Sequence, residues 1–215
     1  MISGDLLRYN LENKKFVFFD LETNGLNLFY SRPFEIGYLI YHGKNLTKER
    51  QIYLNYPNYQ IRPEIAKKVL YNKEIVEKQG IEPKLAFQEL LEYILNSEYY
   101  IIFSNGLNYD CMVLKNSCDE LGLNYGYDWL KRCYDINSLF KLYKLGAKID
   151  NDNLLAQMFS ANNYVRKGLK SNLQYMAKEF KVGMGEETDQ FHGALFDSRV
   201  CSAIFFELIK RIDLK

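Results

Sequence analysis

The chain has 215 residues, 47% of them hydrophobic and 26% charged, so it is long enough to bury a substantial core. Only 4 prolines and 13 glycines occur, which excludes collagen-like and low-complexity chains and indicates a compact fold. The formal net charge of +1 neither supports nor excludes binding to a polyanion, because such binding then depends on where individual lysines and arginines lie.

Several expectations follow from what the chain lacks. No internal repeat or linker composition divides it, so a single domain over residues 1–215 is predicted. The 4 cysteines show no metal-ligand spacing, and we expect them to be reduced and mostly buried. The first ten residues hold no apolar run typical of a signal peptide, and no later stretch reaches membrane-spanning length. These features predict an intracellular, cytoplasmic protein with no membrane partner.

Apolar runs predict the strands of a mixed sheet. The first run, residues 16–19, is apolar on both faces, as in a central strand, and it leads directly into Asp20. Further strands are predicted at 35–42, at 46–53 after a turn over 43–45, and at 99–103.

Helical spacing of apolar residues alternates with these strands. Helices are predicted over 83–95, 108–121 and 171–180, and an apolar stripe over 200–212 predicts a last helix that holds Asp197 in its first turn. The second of them should end at Gly122, because glycine commonly closes a helix. The alternation predicts an α/β fold with a mixed central sheet flanked by helices.

Acidic residues occur at positions that this pattern assigns to the interior. Asp20 and Glu22 lie two apart in an extended strand, so both carboxylates point to one face, about 6–7 Å apart along the chain. Asp110 and Asp197 each precede apolar helix positions by three and four residues, which places them on buried helix faces. Taken singly, each acid is more commonly structural. Together, inward carboxylates repel one another unless protons or cations compensate them, which predicts a divalent metal site.

His192 is close in sequence to the last of these acids. In one continuous helix, His192 and Asp197 would be rotated by about 140° from each other and could not serve one site. Gly193 offers a break, so a loop histidine and an acid in the first helical turn could reach the same centre. The other histidine, His42, is interpreted as an ordinary surface or core residue.

Three segments resemble the motifs of the DEDDh 3′→5′ exonucleases, the DnaQ-like family. The segment FFDLETNGL at 18–26 is similar to the first motif, SNGLNYD at 104–110 to the second, and HGALFD at 192–197 to the third. The resemblance extends from about residue 15 to residue 212. Within this family the pattern is nearest to the proofreading exonuclease subunits of bacterial DNA polymerases, which implies that a polymerase acting in trans is a potential partner.

The resemblance implies a ribonuclease-H-like fold and hydrolysis of phosphodiester bonds from the 3′ end, with release of nucleoside 5′-monophosphates. Two Mg²⁺ or Mn²⁺ ions, about 3.5–4 Å apart in such sites, would hold the attacking and leaving oxygens. By resemblance Asp20, Glu22, Asp110 and Asp197 bind the metals and take part in catalysis. His192 would be the general base that accepts a proton from the attacking water.

The resemblance also implies contacts with the substrate. The backbone of Thr23 and Asn24 would receive the terminal 3′-hydroxyl, and Asn105 would contact the substrate strand. Leu26 would wedge against the last bases, or it would be an ordinary core leucine.

Two further groups could contact nucleic acid. Phe29 and Tyr30 are candidates for stacking on bases. Arg166, Lys167 and Lys170 are candidates for phosphate contacts, or they form a solvated face.

The leading hypothesis is an exonuclease for single-stranded DNA that is free-standing or acts beside a polymerase. An exoribonuclease of the same fold is an alternative, because no residue here decides how the site meets a 2′-hydroxyl. A catalytically silent nucleic-acid-binding subunit is disfavoured, because clustered carboxylates repel phosphates. The oligomeric state is left open.

Overall fold

A computed structural model describes residues 11–150, 152–182 and 192–212. Within these ranges, five strands form one sheet in the order β3-β2-β1-β4-β5. β2 is antiparallel to β1 and β3, whereas β4 is parallel to β1 and β5, which confirms the predicted mixed sheet. The strands are β1 (Lys15–Thr23), β2 (Pro33–His42), β3 (Asn45–Tyr53), β4 (Tyr99–Phe103) and β5 (Cys133–Asp135).

The helices of the described residues flank this sheet, as the α/β prediction requires. They are α1 (Pro63–Lys68), α2 (Lys73–Gln79), α3 (Pro83–Ile94), α4 (Asp110–Leu121), α5 (Ile136–Lys144), α6 (Leu154–Asn163), α7 (Leu173–Phe180) and α8 (Ala194–Leu208). The four helices predicted from apolar spacing correspond to α3, α4, α7 and α8. Gly122 ends α4 in the left-handed conformation, with φ of 64°, as expected. α8 begins at Ala194, which places Asp197 in its first turn as predicted, and it ends at Leu208, four residues before the end of the predicted stripe.

Strand β1 is buried on both faces, and its aromatic residues show why. Phe16 and Phe18 pack edge-on against Phe205 of α8, with ring centroids 5.6 and 5.5 Å apart. Phe19 faces the other side and packs against Phe103 of β4 at 5.7 Å. Each fully buried aromatic residue contributes about 1.5–3 kcal/mol from the removal of apolar surface from water. These contacts fix β1 between two layers of the fold.

Helix α8 is seated closely on β2. A Cβ atom on Gly37 would lie 2.1 Å from the backbone nitrogen of Leu195, so only glycine permits this approach. The Ser198 hydroxyl donates to the carbonyl of Gly37 at 3.0 Å. The first turn of α8 therefore has a defined position over the sheet, and this turn carries Asp197.

All four cysteines are free and buried, as predicted. Over the ranges that the structure describes, no helix has both the length and the apolar character needed to span a membrane.

Candidate active site

The end of β1 carries the first pair of acids. The strand remains extended through Thr23, with an irregularity in its pairing with β2 only between Glu22 and Thr23. Asp20 and Glu22 therefore point to one face, as predicted. Glu22 is buried and Asp20 is half-buried. The pairing of β1 with β4 ends at Phe18, four residues before Glu22. The edge of β1 that carries these acids is therefore open to other elements.

Asp110 is brought to this open edge by the turn before α4. Its Oδ1 atom accepts a hydrogen bond from the backbone N–H of Leu21 at 3.2 Å, and Asp110 itself is buried. The turn is held in place by the fully buried carboxylate of Asp135, which accepts the N–H groups of Asn105 at 3.3 Å and Leu107 at 3.2 Å. The second predicted motif thus meets the first through a direct contact.

His192 and Asp197 are joined as the sequence predicts. Helix α8 begins at Ala194, with Gly193 in extended conformation as its N-cap, so His192 lies outside the helix. His192 has a left-handed backbone with φ of 79°, and its N–H donates to Asp197 Oδ2 at 3.3 Å. One ligand atom each from Glu22, His192 and Asp197 lies within 4.8 Å of the other two. This trio forms part of a compact donor cluster.

Burial and mutual repulsion make the ionised form of these acids unfavourable. Burial, and then the charges of Asp197, Glu35 and Asp110, raise the pKa of Glu22 to about 9. Burial and the same kind of repulsion from the other cluster acids raise the pKa of Asp20 well above its usual value. The predicted acids therefore form one electrostatically coupled cluster.

The remaining two acids show the same effect. Burial raises the pKa of Asp110 and of Asp197 to about 7. In addition, Asp197 Oδ1 is buried without a hydrogen-bond partner among the described residues. A buried carboxylate oxygen without a partner is costly unless a cation or a proton meets it. Four carboxylates with oxygen donors are the ligand chemistry that Mg²⁺ and Mn²⁺ prefer, so the residues present fit a divalent cation.

A fifth buried acid, Glu35, was not singled out as a site residue by the sequence. It lies opposite Glu22 in the pairing of β1 with β2, and its carboxylate accepts Gln51 Nε2 at 2.9 Å. It also accepts the backbone N–H groups of Ala194 and Leu195 at the start of α8. Burial raises the pKa of Glu35 despite these bonds. Its carboxylate therefore caps the helix that carries Asp197. An acid inside an otherwise buried strand could have revealed it.

A cation near the cluster was also missed. Lys68 is exposed at the end of α1, and its charge contributes to lowering the pKa of both Glu22 and His192. Burial is the larger cause for His192, and both effects favour the neutral imidazole. A lysine in the last turn of a short helix is common, so the sequence offered no distinguishing pattern.

The residues directly after Glu22 are held by internal hydrogen bonds. The hydroxyls of Thr23 and Tyr109 lie 2.5 Å apart, and both reach the carbonyl of Gly25. Asn24 Nδ2 donates to the carbonyl of Gln60 at 2.9 Å, and Asn24 Oδ1 accepts the backbone N–H of Arg32 at 2.9 Å. These side chains fix the backbone that was predicted to receive the 3′-hydroxyl. That contact stays a prediction.

The structure decides between the two interpretations of Leu26. Its side chain is 84% exposed, so it is not a core leucine. Phe29 and Tyr30 of the same loop are also exposed. Asn105 has an exposed side chain and a left-handed backbone with φ of 61°. The proposed contacts of these residues with a substrate stay predictions.

The basic residues after α6 are accessible. Arg166, Lys167 and Lys170 are all exposed. The start of their segment is fixed by buried Lys141, whose Nζ donates to the carbonyls of Asn162 at 2.7 Å and Tyr164 at 3.2 Å. Their contact with phosphates stays a prediction.

Comparison with known proteins places this geometry in context. No family model matches the chain. A DNA polymerase III of the PolC type from Ureaplasma parvum is 28% identical over 142 residues, which is 64% of this chain and 10% of that protein. A crystal structure of E. coli exonuclease I with a dA16 oligonucleotide has a TM-score of 0.70 at 15% identity, over 93% of this chain and 41% of that chain.

The zinc-bound form of an E. coli exonuclease I complex with single-stranded DNA gives a TM-score of 0.69 at 16% identity, over 92% of this chain and 40% of that chain. Our chain therefore has the ribonuclease-H-like α/β fold of exonuclease I, although it spans less than half the length of either protein. The sequence relative and the shared fold together confirm the predicted resemblance to the DnaQ-like exonucleases.

Proposed function

We propose that this chain is a single 3′→5′ exonuclease domain that uses divalent metal ions and acts on single-stranded DNA. The convergence of Asp20, Glu22, Asp110 and Asp197 with His192 carries this proposal. The oligonucleotides bound to exonuclease I in its crystal structures favour DNA as the substrate. The similarity to part of a polymerase III favours proofreading beside a polymerase as the setting of the activity.

The acidic cluster would hold Mg²⁺ or Mn²⁺, two ions per site, through its four predicted carboxylates. When bound, such ions neutralise the charge that develops on the phosphate and polarise its oxygens. Asp197 holds the backbone of His192 by accepting its N–H, and Glu35 fixes the helix that carries Asp197. Lys68 adds positive charge on the side of Glu22 and His192.

Hydrolysis then needs one proton acceptor. Water attacks the phosphorus of the last nucleotide, the bond from phosphorus to the preceding 3′-oxygen breaks, and a nucleoside 5′-monophosphate leaves. His192 accepts the proton of the attacking water, and the 3′-oxygen takes up a proton as the shortened strand is released. Because burial lowers the pKa of His192, the imidazole is neutral and able to accept a proton at pH 7.

The proposal is tested by a gel time course with matched 5′-labelled single-stranded DNA and RNA, each with Mg²⁺ and with EDTA. We expect a ladder that shortens from the 3′ end in Mg²⁺, faster on DNA, and no ladder in EDTA. A faster ladder on RNA would make the chain an exoribonuclease. Binding of both strands without any ladder would favour the silent binding subunit.

The role of His192 makes a second prediction, on pH dependence. With Mg²⁺ saturating at each pH, so that protonation of the metal-binding acids does not limit the rate, the activity of the native protein should rise with pH along a limb below pH 6.5, because the pKa of His192 is lowered, and then stay level. His192→Ala should lose about 10²–10⁴-fold in kcat, the usual contribution of a general base, together with that limb. His42→Ala, at an exposed histidine, is the matched control. An unchanged limb in His192→Ala would refute the assignment of the base.

A further inference from the structure

The chain just before helix α1 is anchored to the loop that follows Glu22. Asn24 Nδ2 donates to the carbonyl of Gln60 at 2.9 Å, three residues before α1 begins. The hydroxyl of Tyr59 donates to the carbonyl of Arg32 at 2.8 Å, at the other end of the same loop. These two bonds set the start of α1 close to the end of β1 that carries the first pair of acids.

One face of α1 packs back towards this end of the sheet. A Cβ atom on Gly25 would lie 3.9 Å from Cδ1 of Ile65, so the first turn of α1 lies against the loop. Ile65 and buried Val69, which follows it by one helical turn, belong to one apolar cluster with Phe34 of β2. Phe34 directly precedes the β2 residue that pairs with Glu22. The packed face of α1 is therefore turned towards the acidic cluster.

Two lysines of α1 lie at different angles to this packed face. At about 100° per residue, Lys68 is rotated by about 60° from Ile65 around the helix axis, whereas Lys67 is rotated by about 160°, to the opposite side. Both side chains are exposed. The positive charge of Lys68 acts on both Glu22 and His192, in agreement with a position on the side of the active site.

The ammonium group of Lys68 is free to bind a ligand. Arg62, at the start of the same helix, pairs with Glu64 at 3.2 Å, whereas Lys68 forms no ion pair with any residue that the structure describes. Cations bound by the acidic cluster would neutralise its carboxylates, so these would offer Lys68 no anionic partner. A lysine ammonium is a compact point charge that commonly binds phosphate oxygens, so a phosphate of the substrate is the partner we expect.

The phosphate nearest to this side of the site is the one that is cleaved. In the proposed reaction, His192 accepts a proton from the water that attacks this phosphate, and Glu22 holds a cation against it. A positive charge that acts on both side chains therefore faces the same phosphate. The phosphate carries about one negative charge in the strand and about 1.5–2 in the released nucleotide. A lysine contact thus becomes stronger as the bond to the 3′-oxygen breaks, which is the requirement for catalysis.

We propose that Lys68 is a catalytic residue, which binds a non-bridging oxygen of the scissile phosphate and stabilises the negative charge that develops there. The inference rests on the proposed exonuclease function and adds a cation of the protein itself to the metal ions of that site. Lys67, on the opposite side of α1, has no such role and provides a matched control.

The test compares Lys68→Gln, Lys68→Arg and Lys67→Gln in saturating Mg²⁺ at pH 8, where an imidazole with a pKa at or below 6.5 is neutral in every variant. The substrates are a 10-nucleotide DNA strand and thymidine 5′-(4-nitrophenyl phosphate), whose one phosphate is the scissile one. Lys68→Gln should lose about 10–100-fold in kcat/KM on both, the contribution of a charged hydrogen bond. Lys68→Arg should recover most of this loss because it keeps the charge, and Lys67→Gln should stay within about twofold of native.

Binding of the product gives a second readout that needs no turnover. The affinity for thymidine 5′-monophosphate, measured with Mg²⁺, should fall by about tenfold or more in Lys68→Gln. Thymidine, which has no phosphate, should show no difference between this variant and the native protein. This pair of ligands isolates the contribution of the phosphate contact.

The outcomes separate this inference from the proposed function. A loss on the strand without a loss on the nitrophenyl ester would place Lys68 at an upstream phosphate and refute its catalytic role. A loss in Lys68→Gln no larger than that in Lys67→Gln, or an unchanged affinity for thymidine 5′-monophosphate, would also refute it. A native protein that turns over neither substrate but binds thymidine 5′-monophosphate more tightly than Lys68→Gln would support the phosphate contact and refute the exonuclease.

Discussion

Asp20→Asn is expected to lower the rate of 3′ nucleotide release by about 10³-fold or more. Asp20 is the acid whose pKa responds to all four other carboxylates of the cluster, Asp110, Asp197, Glu22 and Glu35, so it lies at their electrostatic centre. Its carboxylate is one of the four that are predicted to bind the cations. Charge stabilisation by bound metal is worth several kcal/mol at the transition state, and about 4 kcal/mol corresponds to 10³-fold in rate.

The measurement is single-turnover release of the terminal nucleotide in saturating Mg²⁺, with the thermal midpoint as a check that the variant folds. Asparagine keeps the shape of the side chain and removes one buried like charge, so the fold should be preserved. Asp128→Asn is the matched control, because its side chain is 99% exposed and its ion pair is with Lys131, which is not a residue of the cluster. Turnover of Asp20→Asn within tenfold of the native rate would contradict the assignment of the metal site.

The elements that could be predicted from sequence were those with a strong local pattern. Residues 16–19 of β1 are all apolar, and α3 and α4 are twelve residues long, so their patterns are clear. β5 has only three residues and runs directly into α5, so the sequence over 133–144 shows neither a strand period nor a separating turn. Helices of six and seven residues, such as α1 and α2, likewise hold too few turns for a distinct stripe.

The site could be predicted where residues contradicted their local pattern. Asp20 and Asp110 are acids at positions that the apolar spacing assigns to the interior, and His192 is followed by a glycine that breaks a helix. Glu35 joins the site only because strand pairing places it opposite Glu22 and because α8 starts above it. The contribution of Lys68 depends on where a short helix lies. Both are set by tertiary packing, which local spacing does not encode.

The second large effect concerns stability, which should fall with rising pH when metal is absent. The folded pKa of Asp20, Glu22, Asp110 and Asp197 is raised above the unfolded values near 4. The folded protein therefore binds more protons than the unfolded chain from about pH 4 up to about pH 9, where Glu22 titrates. Stability that is fully present below pH 4 is lost as pH rises through the folded pKa values.

Other titrating groups do not reverse this slope. Paired surface acids such as Glu89, whose pKa is lowered to about 2, change their contribution below pH 5. His192 acts in the opposite direction below about pH 6.5, because its pKa is lowered, but it is one group against four. The thermal midpoint in EDTA should therefore decrease from pH 5 to pH 9.

Divalent cations should counteract this loss, most strongly at high pH. At a Mg²⁺ or Mn²⁺ concentration 100 times the dissociation constant, binding stabilises by about 2.7 kcal/mol, or about 5–10 °C in a protein of this size. At pH 5 protons compete for the same carboxylates, so the increase should be much smaller. Asp20→Asn should show a flatter slope in EDTA and a reduced metal response, whereas Asp128→Asn should behave as native. A thermal midpoint that rises with pH in EDTA, or a metal response equal at pH 5 and pH 8, would contradict a cluster of buried carboxylates that a cation neutralises.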